Sequence, residues 1–352
     1  MLEEGLVIGL RVGLIGTGWV ANQHALGYAR VAPDVTIAAA CDARADVLAE
    51  FGAKHRIPHL FRSADELLAC DDVDAVALLT PPAVRDEVMF PAIERGLHLL
   101  IEKPFASTAR DAARYVEAAE TGGVTLAVGQ NFRWFPEYQW LAEQLRGAGA
   151  GTVQYLGAAA FQNRPQAPGV WRAGESRLEM AIYSVHLIDR MQWLAGLGGA
   201  VPMSVCAVTR RNEAAGLPGE QFTSLIVQFD TGAVGAMTSS WMSKKLGRHE
   251  FRVDTSLGSA VVDRPEPMAG EAHGRAEFGD VAVAASFPDE GGHQSPESYG
   301  YSMAEFARAI AAGAVPEHSG RNNLRTMGIM DAAYLSAERG GQLVELAEVF
   351  EK

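Results

Sequence analysis

Short apolar runs alternate with amphipathic stretches along the first third of the chain. The apolar runs predict strands at Val12–Ile15, Thr36–Cys41, Ala75–Leu79, His98–Ile101 and Thr125–Gly129. The stretches with helical spacing are Val20–Arg30, Ala45–His55, Ala64–Ala69, Asp86–Arg95 and Asp111–Glu120. This alternation is typical of a parallel sheet covered by helices, and strands that are apolar on both faces suit burial between two helical layers.

The pattern changes after about residue 131. Phe132–Arg146 has helical spacing, and alternating apolar and polar positions then predict an antiparallel sheet. Its strands are Val153–Phe161, Thr223–Phe229, Ala233–Ser239, Phe251–Thr255 and Ser259–Val262. Two helices near Met303–Ala312 and Leu324–Arg339 close the chain. We predict an α/β protein with a parallel-sheet domain over 1–131 and an α+β domain, with a large, mainly antiparallel sheet, over 132–352.

Charge and composition narrow the class of partner. The chain has 352 residues and a net charge of -13, which argues against a nucleic-acid partner and against binding to an anionic membrane surface. No apolar run is long enough to span a membrane, and the acidic start Met1-Leu2-Glu3-Glu4 does not resemble a secretory signal. Cys41, Cys70 and Cys206 lie far apart without metal-site spacing. We expect a cytoplasmic protein with reduced thiols and no metal site.

A glycine-rich turn follows the first predicted strand. The segment Gly16-Thr17-Gly18-Trp19-Val20-Ala21 joins this strand to a helix. In such a turn, bare backbone and the helix N-terminus can hold a pyrophosphate, with Gly16 making the turn, Gly18 admitting the phosphate and Ala21 letting helix and strand pack. An ordinary strand–helix turn can have the same glycines, so this motif indicates a dinucleotide site only together with other residues.

The second predicted strand supplies that context. It ends at Cys41-Asp42, the distance at which an acidic residue holds the hydroxyls of the adenine ribose. Asp42 would repel a 2′-phosphate, which favours NAD over NADP. Arg44 is close enough to bind that phosphate, so NADP stays open.

Two further strands end in residues suited to chemistry. Thr80-Pro81-Pro82 follows one and Glu102-Lys103-Pro104 follows the next. Ligands of open α/β sheets bind at the carboxyl ends of the strands. Lys103 is therefore placed to meet a bound cofactor, although most lysines are simply solvated.

These motifs, in this order and spacing, resemble the Gfo/Idh/MocA family, the relatives of glucose–fructose oxidoreductase and inositol dehydrogenase. The resemblance continues through Asn131-Phe132-Arg133, Trp171-Arg172, His186-Leu187-Ile188-Asp189, Ser319-Gly320 and Leu324–Ala333. It implies an N-terminal Rossmann domain and an open-faced C-terminal sheet through which homodimers or homotetramers form. It also implies hydride transfer between NAD(P) and one carbon of a sugar, polyol or related compound.

The resemblance also implies residue roles. Lys103 would hydrogen-bond the reacting oxygen and His186 would act as general acid or base. Cofactor contacts would come from Gly16, Thr17, Gly18, Trp19, Val20, Asp42, Arg44, Thr80, Pro81, Glu102, Lys103, Asn131, Trp171 and Arg172. Trp171 and His186 would contact the substrate. From their chemistry and position alone, we add Arg133, Arg164, Glu179 and Tyr183 as substrate contacts, and packing at the domain interface is the alternative for Arg133 and Arg164.

The chain departs from the family pattern at two positions. Many members have an aspartate one helical turn before the histidine, where this chain has Ile182. We expect Tyr183, as a proton-relay hydroxyl and third catalytic candidate, or Glu179, as a substrate carboxylate, to compensate; a purely structural His186 is the alternative. Arg85 stands where the family often has histidine, and we interpret it as a solvated first-turn residue rather than a phosphate ligand.

Three functions are compatible with these motifs. The first is an NAD(P)-dependent dehydrogenase or reductase acting on CH–OH groups of sugar-like compounds. The second is a glycosidase that retains NAD and cycles the hydride within one turnover. The third is a nucleotide-binding sensor without catalysis, which the presence of Lys103 makes less favoured.

Overall fold

A computed structural model describes residues 9–147, 149–167, 170–265, 270–289 and 295–351, without the side chain of Trp171. The chain divides into two compact units. One contains Met1–Trp134 and Gln294–Leu324, and the other contains Phe135–His293 and Arg325–Lys352. Our predicted boundary at residue 131 assigned the 294–324 segment to the second domain, whereas it groups with the first unit.

The first unit is built on a parallel sheet. Its strands are β1 (Leu10–Ile15), β2 (Val35–Cys41), β3 (His59–Phe61), β4 (Ala75–Leu78), β5 (His98–Glu102) and β6 (Leu126–Gly129). Its helices include α1 (Trp19–Val31), α2 (Ala45–His55), α3 (Ala64–Leu68), α4 (Asp86–Glu94) and α5 (Ala109–Thr121). The strand order β3-β2-β1-β4-β5-β6 is that of a dinucleotide-binding sheet, and the switch point lies between β1 and β4.

The C-terminal segment that belongs to the first unit packs against α1 through a contact between two glycines. Its helix α8 (Pro296–Ala312) lies against α1, and Arg30 pairs with Glu297 at 2.6 Å. The helix backbones approach closely where Gly27 faces Gly300. A Cβ atom on Gly27 would lie 2.1 Å from the Pro296 carbonyl oxygen, so only glycine fits there.

The second unit is built on a mixed sheet. Its strands are β7 (Val153–Phe161), β8 (Pro202–Arg210), β9 (Phe222–Phe229), β10 (Val234–Ser240), β11 (Arg248–Thr255), β12 (Gly258–Arg264), β13 (Ala272–Phe278), β14 (Val281–Phe287) and β15 (Val344–Glu345). The order is β14-β13-β12-β11-β7-β10-β9-β8-β15, and β7 and β10 are its parallel pair. The predicted fold class is confirmed.

Two helices of this unit cover one face of the sheet. They are α6 (Pro136–Arg146) and α7 (Val185–Gly196). Helices α9 (Gly320–Glu338) and α10 (Ala347–Glu351) lie in the last part of the chain. Trp140 of α6 lies against Gly274, and Met191 of α7 lies against Gly235. The predicted helix over Phe132–Arg146 is divided into a 3₁₀ turn and α6, because Pro136 starts the helix and has no N–H for the preceding turn.

Candidate active site

The glycine-rich turn has the form that a pyrophosphate needs. Gly16 directly follows β1 and has φ +97°, a conformation that glycine adopts without strain. Gly18 precedes α1 in an extended conformation, with no side-chain cap on the helix. A Cβ atom at Gly18 would meet no atom within 4 Å, so the backbone is open to a ligand. The residues fit a dinucleotide here.

Asp42 at the end of β2 is held by the same turn. Its Oδ2 accepts hydrogen bonds from Thr17 N at 3.0 Å and Thr17 Oγ1 at 3.1 Å. Arg44 adds bonds from its backbone N (2.9 Å), Nε (3.1 Å) and a terminal guanidinium N (3.0 Å). Burial raises the pKa of Asp42, but the hydrogen bonds from Arg44 and Thr17 outweigh it and hold the pKa well below its ordinary value. The carboxylate is ionised and fixed beside the turn.

A cavity adjoins this carboxylate. Its lining includes Gly18, Trp19, Asn22, Arg44 and Lys54. Trp19 is exposed, and the exposed Arg44 side chain can leave Asp42 without disturbing the core. This arrangement suits the adenosine end of a dinucleotide, with Asp42 available to ribose hydroxyls once Arg44 moves.

The loop after β4 has a polar atom without a partner. Within the described residues, the buried Thr80 Oγ1 has no hydrogen bond. A buried hydroxyl of this kind is expected to bond a ligand, since leaving it unsatisfied costs free energy. The observation fits the predicted cofactor contact by Thr80 and the adjacent Pro81.

Arg85 corrects our interpretation of a solvated side chain. It is 1% exposed, and its guanidinium donates to the carbonyl oxygens of Thr80 (2.8 Å), Phe105 (2.8 Å) and Pro104. Burial lowers the pKa of Arg85 to about 10, which leaves it charged at neutral pH. Arg85 therefore joins the loop after β4 to the turn after β5.

Lys103 directly follows β5, and the carboxylate of the preceding Glu102 is held by hydrogen bonds. The Lys103–Pro104 peptide is cis, and the Lys103 backbone N donates to Glu102 at 3.1 Å. Glu102 bonds His24 Nε2 at 2.9 Å, and His24 Nδ1 bonds the Tyr28 hydroxyl at 2.8 Å. The chain Tyr28–His24–Glu102 fixes the backbone from which the half-buried Lys103 side chain extends.

Asn131 and Arg133 are held inside the first unit. Asn131 Nδ2 donates to Ser298 at 3.0 Å. Arg133 is 2% exposed and donates to the Glu317 carbonyl oxygen at 3.0 Å and to Asn322 at 2.7 Å. Their predicted cofactor and substrate contacts stay predictions.

In the second unit, His186 follows a π-helical segment. Met180–Ser184 forms this segment, and His186 is the second residue of α7, 3% exposed. π-Helical segments are often found at functional sites. Glu220, which the sequence analysis missed, accepts from the backbone N of Leu178 and Met180, so a carboxylate stabilises the start of this segment.

Glu179 is fully buried at the start of this segment. Its Oε1 accepts from Ser184 (2.7 Å) and Ser239 (2.6 Å). Burial raises the pKa of Glu179 to about 7, although these hydroxyl bonds oppose the rise. The group is poised between its neutral and charged forms at physiological pH.

Tyr183 belongs to a second buried network. Its hydroxyl lies 3.1 Å from His249 Nδ1, and His249 Nε2 lies 2.8 Å from the Tyr138 hydroxyl. Burial and Arg190 lower the pKa of His249 well below its ordinary value, so this ring is neutral. His249 faces inward on β11 and was not singled out from the sequence, because a lone histidine in an alternating strand has no distinguishing spacing.

The loop after β7 brings Arg164 to Tyr183. Its guanidinium lies over the rings of Trp241 (5.0 Å) and Tyr183 (5.6 Å). On the same loop, Arg172 Nε donates to Gln166 at 2.6 Å. The side chain of Trp171 lies outside the described part of the chain, and its predicted contacts stay predictions.

The structure thus groups the predicted cofactor residues of the first unit at one edge. The turn after β1, Asp42 after β2, Thr80 after β4 and Lys103 after β5 all lie at carboxyl ends of parallel strands. This is the edge where open α/β sheets bind ligands. Within the second unit, Arg164 lies over Tyr183, and Tyr183 is three residues before His186 along the chain.

Two family models match the chain. Residues 10–130 match an oxidoreductase family with an NAD-binding Rossmann fold, and residues 138–261 match the Gfo/Idh/MocA C-terminal domain. The chain belongs to the Gfo/Idh/MocA oxidoreductase family. The predicted family, the oxidoreductase class and the NAD(P) cofactor are confirmed.

Individual relatives agree with this assignment. D-apiose dehydrogenase from Paraburkholderia graminis is 28% identical over 348 residues, 95% of this chain and 88% of that protein. D-xylose 1-dehydrogenase (NADP(+)) 2 from Haloferax volcanii is 26% identical and covers 93% of this chain and 97% of its own length. An Agrobacterium radiobacter oxidoreductase, solved with NAD+, L-tartaric acid and magnesium, has a TM-score of 0.86 at 21% identity, covering 97% of this chain and 99% of its own. That likeness shows the fold.

Among the described residues, none of the helices has both the length and the apolar character required to cross a membrane.

Proposed function

We propose that this family member is an NAD(P)-dependent dehydrogenase or reductase acting on a carbinol or carbonyl carbon of a sugar, polyol or related compound. One observation carries the proposal: the open glycine turn, Asp42 and the Glu102–Lys103 pair lie at carboxyl ends of one parallel sheet. The names of D-apiose and D-xylose dehydrogenases among the relatives support this substrate class.

The residues around Lys103 have a defined task in this proposal. When bound, the nicotinamide exchanges a hydride with the substrate carbon. Lys103 hydrogen-bonds the oxygen on that carbon, and its ammonium stabilises negative charge that develops there. Glu102 keeps the Lys103 backbone in place, and His24 and Tyr28 keep Glu102 oriented.

We assign the second proton-handling position to His186. Tyr183 precedes it by three residues and is fixed by His249, so the hydroxyl is placed to relay a proton from the same segment. His249 stays neutral, and its hydrogen bond with the Tyr183 hydroxyl orients that hydroxyl. This network supports a role for Tyr183 where the family aspartate is replaced by Ile182.

We propose NAD as the preferred cofactor. Asp42 is ionised and bonded to the glycine turn through Thr17, so a 2′-phosphate beside it would meet a fixed negative charge. Arg44 is the residue through which NADP could still be used. We also propose that the protein is cytoplasmic and that copies of the chain associate through the second sheet.

The decisive experiment mixes the purified protein with NAD or NADP and each member of a panel of sugars, polyols and sugar acids, and measures the absorbance of the reduced nicotinamide. We expect NADH formation that falls by at least about 100-fold in Lys103→Met, because an oxyanion-stabilising group is lost. The exposed Lys245→Met variant is the control and should keep full activity.

Other outcomes favour the alternatives. Tightly bound NAD with glycoside cleavage and no net NADH would indicate a redox-cycling glycosidase. Nucleotide binding without turnover, unchanged in Lys103→Met, would indicate a sensor and contradict the proposal.

A further inference from the structure

We infer that Arg164 binds an anionic group of the substrate, so that the preferred substrate is a sugar acid or sugar phosphate rather than a neutral sugar. The inference rests on the proposed dehydrogenase function and specifies its substrate class. It follows from the position of a single guanidinium in the second unit and from the charges around it.

Three contacts hold Arg164 in place. Its backbone N donates to the Trp241 carbonyl oxygen at 3.1 Å, which fixes the loop after β7 against the end of β10. Its guanidinium lies 5.0 Å from the centre of the Trp241 ring and 5.6 Å from that of Tyr183. Aromatic contacts of this kind fix a guanidinium while leaving its N–H groups available for hydrogen bonds.

Those N–H groups have no acceptor within the described residues, where neither a hydrogen bond nor an ion pair from the Arg164 guanidinium occurs. Two buried arginines of the same protein have acceptors: Arg85 donates to three carbonyl oxygens, and Arg264 pairs with Glu137 at 2.7 Å, although Arg264 Nη1 has no partner within the described residues. A partly desolvated guanidinium without an acceptor is costly, and a planar oxyanion is its best partner.

The surrounding charges strengthen this requirement for an anion. Burial lowers the pKa of Arg164, and the positive charge of Arg172 lowers it further. The Tyr183 hydroxyl and the Glu179 carboxyl group oppose this lowering, but burial raises the pKa of Glu179 to about 7, so its negative charge is only partly present at neutral pH. In a protein with a net charge of -13, Arg164 and Arg172 thus bring two positive charges close to each other.

The site adjoins the proposed chemistry. Arg164 covers Tyr183, which lies three residues before His186 on the same helical segment. An anion bound to Arg164 would therefore anchor one end of a substrate whose reacting carbon lies towards His186. This position makes Arg164 a specificity-determining residue.

The test compares pairs of substrates that differ at one group, which is anionic in one member and a neutral hydroxyl group in the other. Steady-state NADH formation is measured with D-gluconate against D-glucitol, D-glucuronate against D-glucose, and D-glucose 6-phosphate against D-glucose. The variants are Arg164→Met, Arg164→Lys and the control Arg211→Met, which removes an exposed arginine paired with Glu213. Calorimetric titration of each compound into the protein measures binding without turnover.

We expect the wild type to favour the anionic member of at least one pair by more than about tenfold in kcat/KM, as a charge-assisted bidentate contact supplies. Arg164→Met should lower kcat/KM for the anionic member far more than for the neutral member, so that the preference is lost, and Arg164→Lys should restore part of it. The carboxylate and phosphate pairs distinguish the two kinds of anion.

Two results overturn the inference: equal use of charged and neutral partners by the wild type, or an anion preference that survives in Arg164→Met. Turnover of neutral sugars without anion preference would leave the proposed function intact. Anion binding that depends on Arg164, with no NADH from any compound, would contradict the proposed function and leave the anion site standing.

Discussion

At the scale of single residues, Glu179 is unusual in the second unit because it is a buried carboxyl group that is only partly hydrogen-bonded. It is fully buried, and within the described residues its Oε2 has no hydrogen-bond partner. The bonds from Ser184 and Ser239 reach only Oε1. A carboxyl group in this setting favours its neutral form, since a buried charge needs a compensating partner.

This setting predicts a pH dependence of stability. The folded protein holds the Glu179 proton up to a pKa of about 7, whereas the unfolded chain releases it near 4.5. Below pH 4.5, Glu179 is protonated in both the folded and the unfolded state, and its ionisation does not lower stability. As the pH rises from 4.5 to about 7, the unfolded chain releases the proton while the folded protein keeps it, so the free energy of unfolding falls. The full loss corresponds to about 3 kcal/mol.

Glu179→Gln removes this titration. Relative to wild type, the variant's free energy of unfolding should rise between pH 5 and pH 8 by about 2 kcal/mol, measured by denaturant unfolding at both pH values. Glu213→Gln, at an exposed carboxylate, is the control and should leave the profile unchanged. Parallel wild-type and Glu179→Gln profiles would show that Glu179 is ionised in the folded state.

At the scale of elements, one arginine joins two strand ends. The loop after β4 carries Thr80, and the turn after β5 carries Lys103 and Pro104. Arg85, at the start of α4, donates to carbonyl oxygens of both segments. Arg85 is thus a positioning residue for the proposed cofactor and oxygen contacts.

Arg85→Met should separate these two segments. Three carbonyl oxygens lose a charged donor, so we expect a stability loss of about 3 kcal/mol and a KM for NAD raised by more than about tenfold. Arg85→Lys should restore part of both. Arg114→Met, which removes an exposed arginine on the neighbouring helix α5, is the control. A destabilised Arg85→Met protein with unchanged KM and kcat would show a purely structural role.

Pattern alone predicted most of the elements that position the site. Helix Ala45–His55 and strand Val153–Phe161 have the predicted bounds, because hydrophobic periodicity decides such segments locally. The short strand β3 and the hairpin of β13 and β14 were not predicted, since β14 is largely exposed and lacks a clear apolar alternation. The packing of α8 on α1 depends on the contact between Gly27 and Gly300, which has no signature along the sequence.

The candidate site was predicted unevenly for similar reasons. The turn motifs carry Gly16, Asp42 and Lys103 at recognisable spacing. The buried state of Arg85 depends on carbonyl groups from two separate loops, and the link from Tyr183 to His249 joins residues 66 apart in sequence. Contacts of this kind appear only when the chain is folded.

At the scale of the whole molecule, the two faces of the second sheet differ within the described residues. Helices α6 and α7 pack on one side, whereas one row on the other side runs across paired strands through Ile226, Ala236, Gly157, Arg252 and Val261. Ile226 is 45% exposed. Ile226, Ala236 and Gly157 form the apolar part of this row, beside the Arg252–Asp254 ion pair. Such a patch favours association of two copies, because burial of apolar surface is the main driving force for assembly.

We predict that this face forms the homo-oligomer. Ile226→Glu places a charge in the apolar part of the row, and burial of that charge against a second copy is costly, so the variant should have a lower mass than the wild type in sedimentation velocity at equal concentration. Val315→Glu, at a site 79% exposed, is the matched control and should keep the wild-type mass. A monomeric wild type, or an Ile226→Glu protein that assembles as the wild type does, would place the interface elsewhere or exclude it. Because Ile226 lies on the face opposite α7, the monomeric variant should retain its Arg164-dependent substrate preference, which separates assembly from specificity.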